Sequence, residues 1–258
     1  MKTFPRRIMN HITGRIPDGL KEYLLFKVAA DASPIAVERA EQTFYINYLR
    51  EDMVVFDVGA NIGELTLLFS RFVGPSGKVY SFEASKATFE NLSGVMSLSG
   101  RKNVEMNHLA LCDRNGIIDL HVYPEEYSGW TTLADRPLKS YGIDVKSIKR
   151  EQVCSSTLDA FCQERGVSQI DLLKIDVEGA EYQVMLGARH MLEQKKVRCC
   201  VFEFGATTFD MGNTPTMIED YLAKMGYRIR NIVLGNPCFP GRESAKSAKF
   251  SMHVAEPQ

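Results

Sequence analysis

The stretch from Val54 to Thr66, VVFDVGANIGELT, constrains this chain more than any other. Val54, Val55 and Phe56 lead into Asp57, then come Gly59 and Gly63, and Leu65, Leu68, Phe69 and Phe72 recur at helical spacing. That order predicts a buried strand, a tight turn and a helix, the unit that presents a ligand at a strand's carboxyl end. Gly59 and Gly63 leave out side chains where the backbone turns sharply and a ligand comes close. The spacing is not the Gly-x-Gly-x-x-Gly of dinucleotide sites, so a nicotinamide enzyme is disfavoured.

Two more strand ends carry acids. Gly74, Pro75 and Gly77 mark a turn before Lys78–Glu83, a predicted second strand. Its last residue, Glu83, either lies solvated or accepts both hydroxyls of a ribose, and its place after a glycine turn favours ribose. Ile170 to Ile175 reads as a buried strand interrupted by Lys174, with Asp176 at its carboxyl edge. Lys174, two residues before Asp176, shares its strand face. A helix is predicted from about Glu178 to Gln194, with Tyr182, Met185, Leu186 and Leu192 inward. In a doubly wound sheet Asp176 points into the same crevice as Asp57 and Glu83. Glu178 and Glu181 also suit the helix dipole, which is explanation enough for Glu181.

A strand, then Asp-x-Gly-x-x-x-Gly, then a helix is the pattern of S-adenosylmethionine-binding proteins. Three blocks together, Asp57 to Gly63, Ala110 to Gly116 (ALCDRNG) and Lys174 to Glu181 (KIDVEGAE), resemble the FkbM-type S-adenosylmethionine-dependent methyltransferase family. The similarity spans roughly residues 50 to 205, and the Lys-Ile-Asp-Val-Glu-Gly block is its most specific part. The resemblance implies a Rossmann-like class I α/β fold: a doubly wound, mostly parallel seven-stranded sheet with an antiparallel terminal strand pair. It also implies methyl transfer to a hydroxyl of a sugar, glycan, glycolipid or natural product. The other class of function for this scaffold is a regulatory protein that binds the cofactor without catalysis; the joint presence of Asp57, Gly59, Gly63, Glu83 and Asp176 weighs against it.

The remaining chain fits one α/β enzyme domain. With 258 residues, 45% hydrophobic and 24% charged, it can bury a sizeable core. A net charge of −1 provides no electrostatic case for nucleic acid. Six cysteines without a Cys-x-x-Cys pair fit a reducing, cytoplasmic compartment. Neither a membrane-spanning run nor a signal-peptide core is expected. Residues 1–50 read as a helical extension and 51–258 as the cofactor-binding domain. In the extension, Pro5, Gly14 and Pro17 interrupt a basic amphipathic stretch, which favours a flap over the cleft above a membrane-surface helix.

Further elements are expected as a helix at 35–50, a helix at 84–99, a third strand at 104–111, and Asp113–Gly116 as a hairpin turn whose partner strand is 117–123. A helix at 157–165 with a Ser or Thr cap, a fifth strand at 197–204 and a helix at 214–225 follow, then strands at 227–234 and 249–255. The irregular segment 124–150, with Lys139, Lys146, Lys149 and Arg150, is assigned to acceptor binding and suits a phosphate- or lipid-linked acceptor. Trp130, with Tyr127, either stacks on a sugar face or plugs the core.

The candidate cofactor contacts are Asp57, Gly59, Asn61, Gly63, Thr66, Glu83, Ala110 and Asp176. Asp57 is expected to orient the cofactor's amino-acid end or the turn amides. Asp176 is the first candidate for the base that activates a hydroxyl, followed by Glu178 and Glu203; His108 and His121 are alternatives. Asp176, Glu178 and Glu203 offer oxygens suited to magnesium, but their spacing is not diagnostic and no metal is expected. The sequence leaves the oligomeric state open, a homodimer included.

Overall fold

The computed structural model describes residues 34–123, 131–137 and 148–258. Val54–Val58 (β1), Lys78–Glu83 (β2), Val104–His108 (β3), Leu172–Ile175 (β7), Cys200–Phe204 (β8), Tyr227–Asn231 (β9) and Ser251–Pro257 (β10) make one seven-stranded sheet. Its order is β3-β2-β1-β7-β8-β10-β9. The first five strands are parallel, and β10 runs antiparallel to both β8 and β9. This is the doubly wound sheet with an antiparallel terminal pair expected from the sequence. The order reverses between β1 and β7, so their carboxyl ends flank a crevice.

Alternation along the strands divides the core into two layers. Phe56, Val58, Phe82, Leu173, Ile175, Phe202 and Phe204 face one side, where they meet Phe161, Val184 and Leu192. Val55, Val79, Leu172 and Val201 face the other, against Tyr45 and Leu49, Phe69 and Val73. Each fully buried side chain of this size contributes roughly 1.5–3 kcal/mol. Tyr45 belongs to helix α1 (Pro34–Tyr48) and Phe69 to α2 (Glu64–Phe72); their rings meet edge-on at 4.8 Å. The charged positions Asp57, Lys174 and Glu203 fall in the same alternation as Val55, Leu172 and Val201, so they rise on the side of α1 and α2.

A third helix, α3 (Lys86–Ser99), follows β2. The expected single third strand is divided: after β3 the chain leaves the main sheet at Leu109 and enters a second sheet of β4 (Ala110–Leu111), β5 (Gly116–Val122) and β6 (Lys149–Ser156). The expected hairpin is also corrected. Asp113–Gly116 joins β4 to β5, but these do not pair, because β6 lies between them, parallel to β4 and antiparallel to β5. The Cys112 amide donates to Ser156 O, and Asn115 Oδ1 accepts from the Thr157 amide, so the turn is tied to β6. A turn signal dictates that the chain reverses, not which strand it then meets.

Thr157 caps α4 (Leu158–Arg165) by accepting from the Ala160 amide. The helix expected from Glu178 to Gln194 is two, α5 (Glu181–Gly187) and α6 (Arg189–Glu193). Glu178 and Gly179 have φ of 54° and 105°, which excludes them from a right-handed helix. The break at Ala188 has a local cause: Asp159 accepts from the amides of His190 and Met191, which starts α6 afresh. A short helix, α7 (Ala206–Asp210), and α8 (Pro215–Lys224), capped by Thr214, precede the terminal strand pair.

Two glycines test this packing. A Cβ at Gly187 would stand 2.0 Å from Cys112 O, whereas nothing lies within 4 Å of one at Gly94, exposed within α3. Gly187→Ala is expected to lower stability by roughly 1–3 kcal/mol. Gly94→Ala should raise it by about 0.5–1 kcal/mol, since glycine is a poor helix former. Urea unfolding of the two variants checks both signs.

Candidate active site at the carboxyl edge of the sheet

Register assembles the centre of the site. Asp57 of β1 stands opposite Lys174 of β7. The Lys174 ammonium is buried, 3.4 Å from Asp57 Oδ1 and 3.4 Å from Asp176 Oδ2, and it donates to Gly59 O at 2.9 Å. Asp57 Oδ2 accepts from the Thr66 hydroxyl at 2.5 Å, which ties β1 to α2. Gly59 has φ of 78°, and a Cβ there would fall 1.8 Å from Asp176 O. The turn after β1 and the exit of β7 therefore touch through backbone alone. Burial would lower the Lys174 pKa, but Asp176, Asp57 and Glu41 around it raise it, so the ammonium stays charged.

Three carboxyl groups gather above this cation. Side-chain oxygens of Asp176, Glu178 and Glu203 lie within 4.8 Å of one another. Burial pushes Glu203 well above the usual carboxylate range, and Asp176 and Glu178 nearby push it further, so it keeps its proton and is hydrogen-bonded to Asp176. Burial, and then Asp176, raise Glu178 to about 8 against the pull of Arg136. Burial raises Asp176 too, but Lys174 and the Glu203 bond overcome it and hold this carboxyl below its ordinary value. Asp176 is thus the ionised member of the three, and its side chain is 37% exposed.

The loop that carries Asp176 and Glu178 is braced on every side. Glu181 Oε1 accepts from the Val177 and Gly179 amides, and Asn213 Nδ2 donates to Gly179 O. The Thr132 hydroxyl donates to Glu178 O at 2.6 Å, and Thr132 pairs with His121 of β5 through backbone bonds. Arg136 reaches Glu178 at 3.8 Å and Asp210 of α7 at 3.4 Å. Residues 131–137 therefore run as a strap from the second sheet across to α7.

A cavity of about 210 Å³ lies under the strap. Phe82, Leu109, Leu111, Leu120 and Leu133 supply apolar walls; Glu83, Thr88, Asp176 and Glu178 supply polar ones. Glu83 is 8% exposed and accepts from the Asn61 and Ser85 amides. Burial raises its pKa, and those two amides oppose the rise. An ionised carboxylate has about four acceptor positions. Two remain, the number that a vicinal diol needs. Apolar walls with such an acceptor at one end fit the ribose and base of S-adenosylmethionine.

Of the candidate residues, Gly59, Asn61, Glu83, Ala110, Asp176 and Glu178 line the cavity. Asp57 and Thr66 are fully buried and bond to each other, so Asp57 does not reach the turn amides; Glu83 takes the one at Asn61. Gly63 faces Leu92 and Met96 of α3, and Glu203 meets the site through Asp176. His108 is exposed, stacked on Phe89 and bonded to Ala84 O, away from the crevice. His121 is half-buried on β5. Tyr127, Trp130, Lys139 and Lys146 lie outside the described residues. Thr132, Arg136 and Glu41 were not singled out from the sequence. The first two stand in the irregular segment 124–150, where no periodicity tells which side chains turn inward.

Comparison with known proteins bears on this geometry. Residues 57–229 match the profile of the family described as Methyltransferase FkbM domain. The chain is 27% identical over 215 residues to 31-O-demethyl-FK506 methyltransferase FkbM of Streptomyces tacrolimicus, covering 76% of this chain and 79% of that one. It is 27% identical over 155 residues to 2-O-methyltransferase NoeI of Sinorhizobium fredii, covering 57% and 62%. It is 29% identical over 147 residues to Methyltransferase 1 of Beauveria bassiana, covering 53% and 59%. The matches to the last two span about three fifths of those relatives' lengths.

The Glu83 geometry yields a test. Glu83→Gln keeps the shape but turns one acceptor into a donor, and it should weaken S-adenosylhomocysteine binding by roughly 1.5–3 kcal/mol, the worth of a hydrogen bond to a charged group. Calorimetry on the folded variant measures it, and undiminished affinity would remove Glu83 from the cofactor site.

Proposed function

The chain belongs to the FkbM methyltransferase domain family, whose methyl donor is S-adenosylmethionine, and on that premise we propose that it methylates a hydroxyl oxygen. The acceptor class is a sugar, glycan, glycolipid or hydroxylated natural product, in free, phosphate-linked or lipid-linked form. Support for oxygen as the acceptor comes from Asp176, an ionised carboxylate open to the cavity wall between two carboxyls that burial keeps protonated. The names of two relatives, a 2-O-methyltransferase and a methyltransferase of 31-O-demethyl-FK506, agree with it. A cytoplasmic setting belongs to the same reading and is supported by six free thiols.

S-adenosylmethionine supplies an activated methyl group on a sulfonium. The chain's own work is alignment and proton transfer. Glu83 and the apolar walls hold the donor's nucleoside. Asp176 accepts a hydrogen bond from the acceptor hydroxyl, which orients the oxygen, and takes its proton late in transfer. Its depressed pKa makes it a better hydrogen-bond acceptor than a strong base, so the proton moves as the oxygen becomes positive. The strap at 131–137, tied down by Thr132 and Arg136, shields the crevice from water.

Asp176→Asn preserves shape and removes the charge. The variant is expected to bind S-adenosylhomocysteine but to lose about 10²- to 10⁴-fold in turnover, the range for general base catalysis. The assay is transfer of labelled methyl to a panel of glycans, lipid-linked sugars and small hydroxylated compounds. A loss below tenfold in a folded variant removes the base assignment, and transfer confined to nitrogen or carbon acceptors removes the acceptor class.

A further inference from the structure

We propose that Lys174 is the positioning residue of this site: its buried ammonium joins the turn after β1, through Gly59 O, to the Asp176 carboxylate at the end of β7. The donor-side turn and the acceptor-side carboxylate are thereby held in one register. The inference rests on the reading of Asp176 as the group that meets the acceptor.

Three observations carry it. The Lys174 side chain is 3% exposed; its ammonium donates to Gly59 O and lies 3.4 Å from both Asp57 Oδ1 and Asp176 Oδ2 as ion pairs, so it is held from three directions. The partners lie on different elements, since Gly59 follows β1 and Asp176 follows β7, the two strands at which the sheet order reverses. Finally, a Cβ at Gly59 would collide with Asp176 O, so the two segments pack backbone to backbone with no side chain between them, and the Asp176 amide donates to Val58 O. Lys174 spans the crevice from beneath and touches both of its lips.

The charged environment of Asp176 sets the direction of the effect. Lys174 comes from its own strand, Asp57 from β1, Glu203 from β8, Glu178 and Glu181 from the loop and α5, and Glu41 from α1, with Arg136 reaching Glu178 from the strap. Among the described residues Lys174 is the cation in contact with Asp176; Arg136 reaches only Glu178, and the other near charged groups are acids. Burial raises a carboxyl pKa and an adjacent cation lowers it. Without Lys174 the Asp176 carboxyl titrates at higher pH, and deprotonated carboxylate is lost sooner as pH falls.

Lys174→Met alone strands the buried Asp57, so the test pairs it with Asp57→Asn, which removes one negative charge with the positive one and keeps an acceptor for Thr66. Thermal unfolding establishes that the double variant is folded. Carbon-13 NMR of labelled aspartate carboxyls, with the Asp176 signal assigned by its absence in Asp176→Asn, follows titration in both proteins. The Asp176 midpoint is expected to rise by about 1–3 pH units, as for loss of a neighbouring opposite charge. S-adenosylhomocysteine affinity, measured by calorimetry, is expected to fall relative to Asp57→Asn alone, and the acid limb of turnover to move up with the titration. An unmoved Asp176 midpoint or an undiminished affinity overturns the proposal. If Asp176→Asn keeps its turnover while the midpoint still moves with Lys174, the base assignment fails and the link between the two segments stands.

Discussion

A single ammonium group, that of Lys174, sits where β1, the glycine turn after it and the exit of β7 meet. It is almost fully buried, yet it meets two carboxylates and a backbone carbonyl. Removing a charge from water costs several kcal/mol, and a buried pair offsets this only when the geometry is good and further hydrogen bonds satisfy what remains. Here the further bonds exist: Gly59 O takes one proton of the ammonium, and the Thr66 hydroxyl satisfies the far oxygen of Asp57. Breaking such a cluster from one side strands a charge, at a cost of about 3–5 kcal/mol. The sheet's central strands, the glycine turn and α2 are thus bound to the same polar core as the reacting edge.

The same cluster orders the protonation states above it. Three carboxyls in one small space cannot all ionise. The one beside Lys174 does, and the two deeper or farther ones keep protons near neutral pH. Tyr45 of α1 donates to Glu41, whose carboxyl burial and then Asp176 raise to about 7, so this helix, which precedes the family match at residue 57, also feels the charge of the site. A crevice with one ionised acid flanked by neutral ones can hold a hydroxyl by donor and acceptor together. The strap crosses it with bonds to the Glu178 carbonyl in the loop after β7 and to Asp210 of α7.

Much of this was legible in the chain. Val54–Val58 and Lys78–Glu83 appear as read, and the strand read from Ile170 appears as Leu172–Ile175, because apolar runs bounded by glycines or acids are local signals; Thr157 and Thr214 cap their helices as Ser or Thr before a helix commonly does. The acids at the strand ends could be named from their positions. The departures came where a local signal had two tertiary outcomes. Asp113–Gly116 announced a reversal, and β6, from beyond the irregular segment, took the place of the expected partner. The apolar periodicity from Tyr182 to Leu192 hid a break that depends on Asp159, a residue of another helix.

Sequence alone marked the strands that flank the glycine turn and the acids at their ends, since these are written in short-range pattern: period two, period 3.6, glycine spacing and the residue at a strand's end. The family and its cofactor class followed from the resemblance of three such blocks. Which acids face a ligand was settled only in three dimensions. Asp57 and Glu83 look alike in the chain, each an acid after a buried run. Both fall on the same alternation of the sheet, since Ser81, two residues before Glu83, stands opposite Asp57; but Asp57 lies within β1 beneath α1 and α2, against Thr66 and Lys174, whereas Glu83 is the last residue of β2 and lines the cavity with acceptor positions to spare. Contact with solvent and the number of donors within reach make that difference, and both are properties of packing.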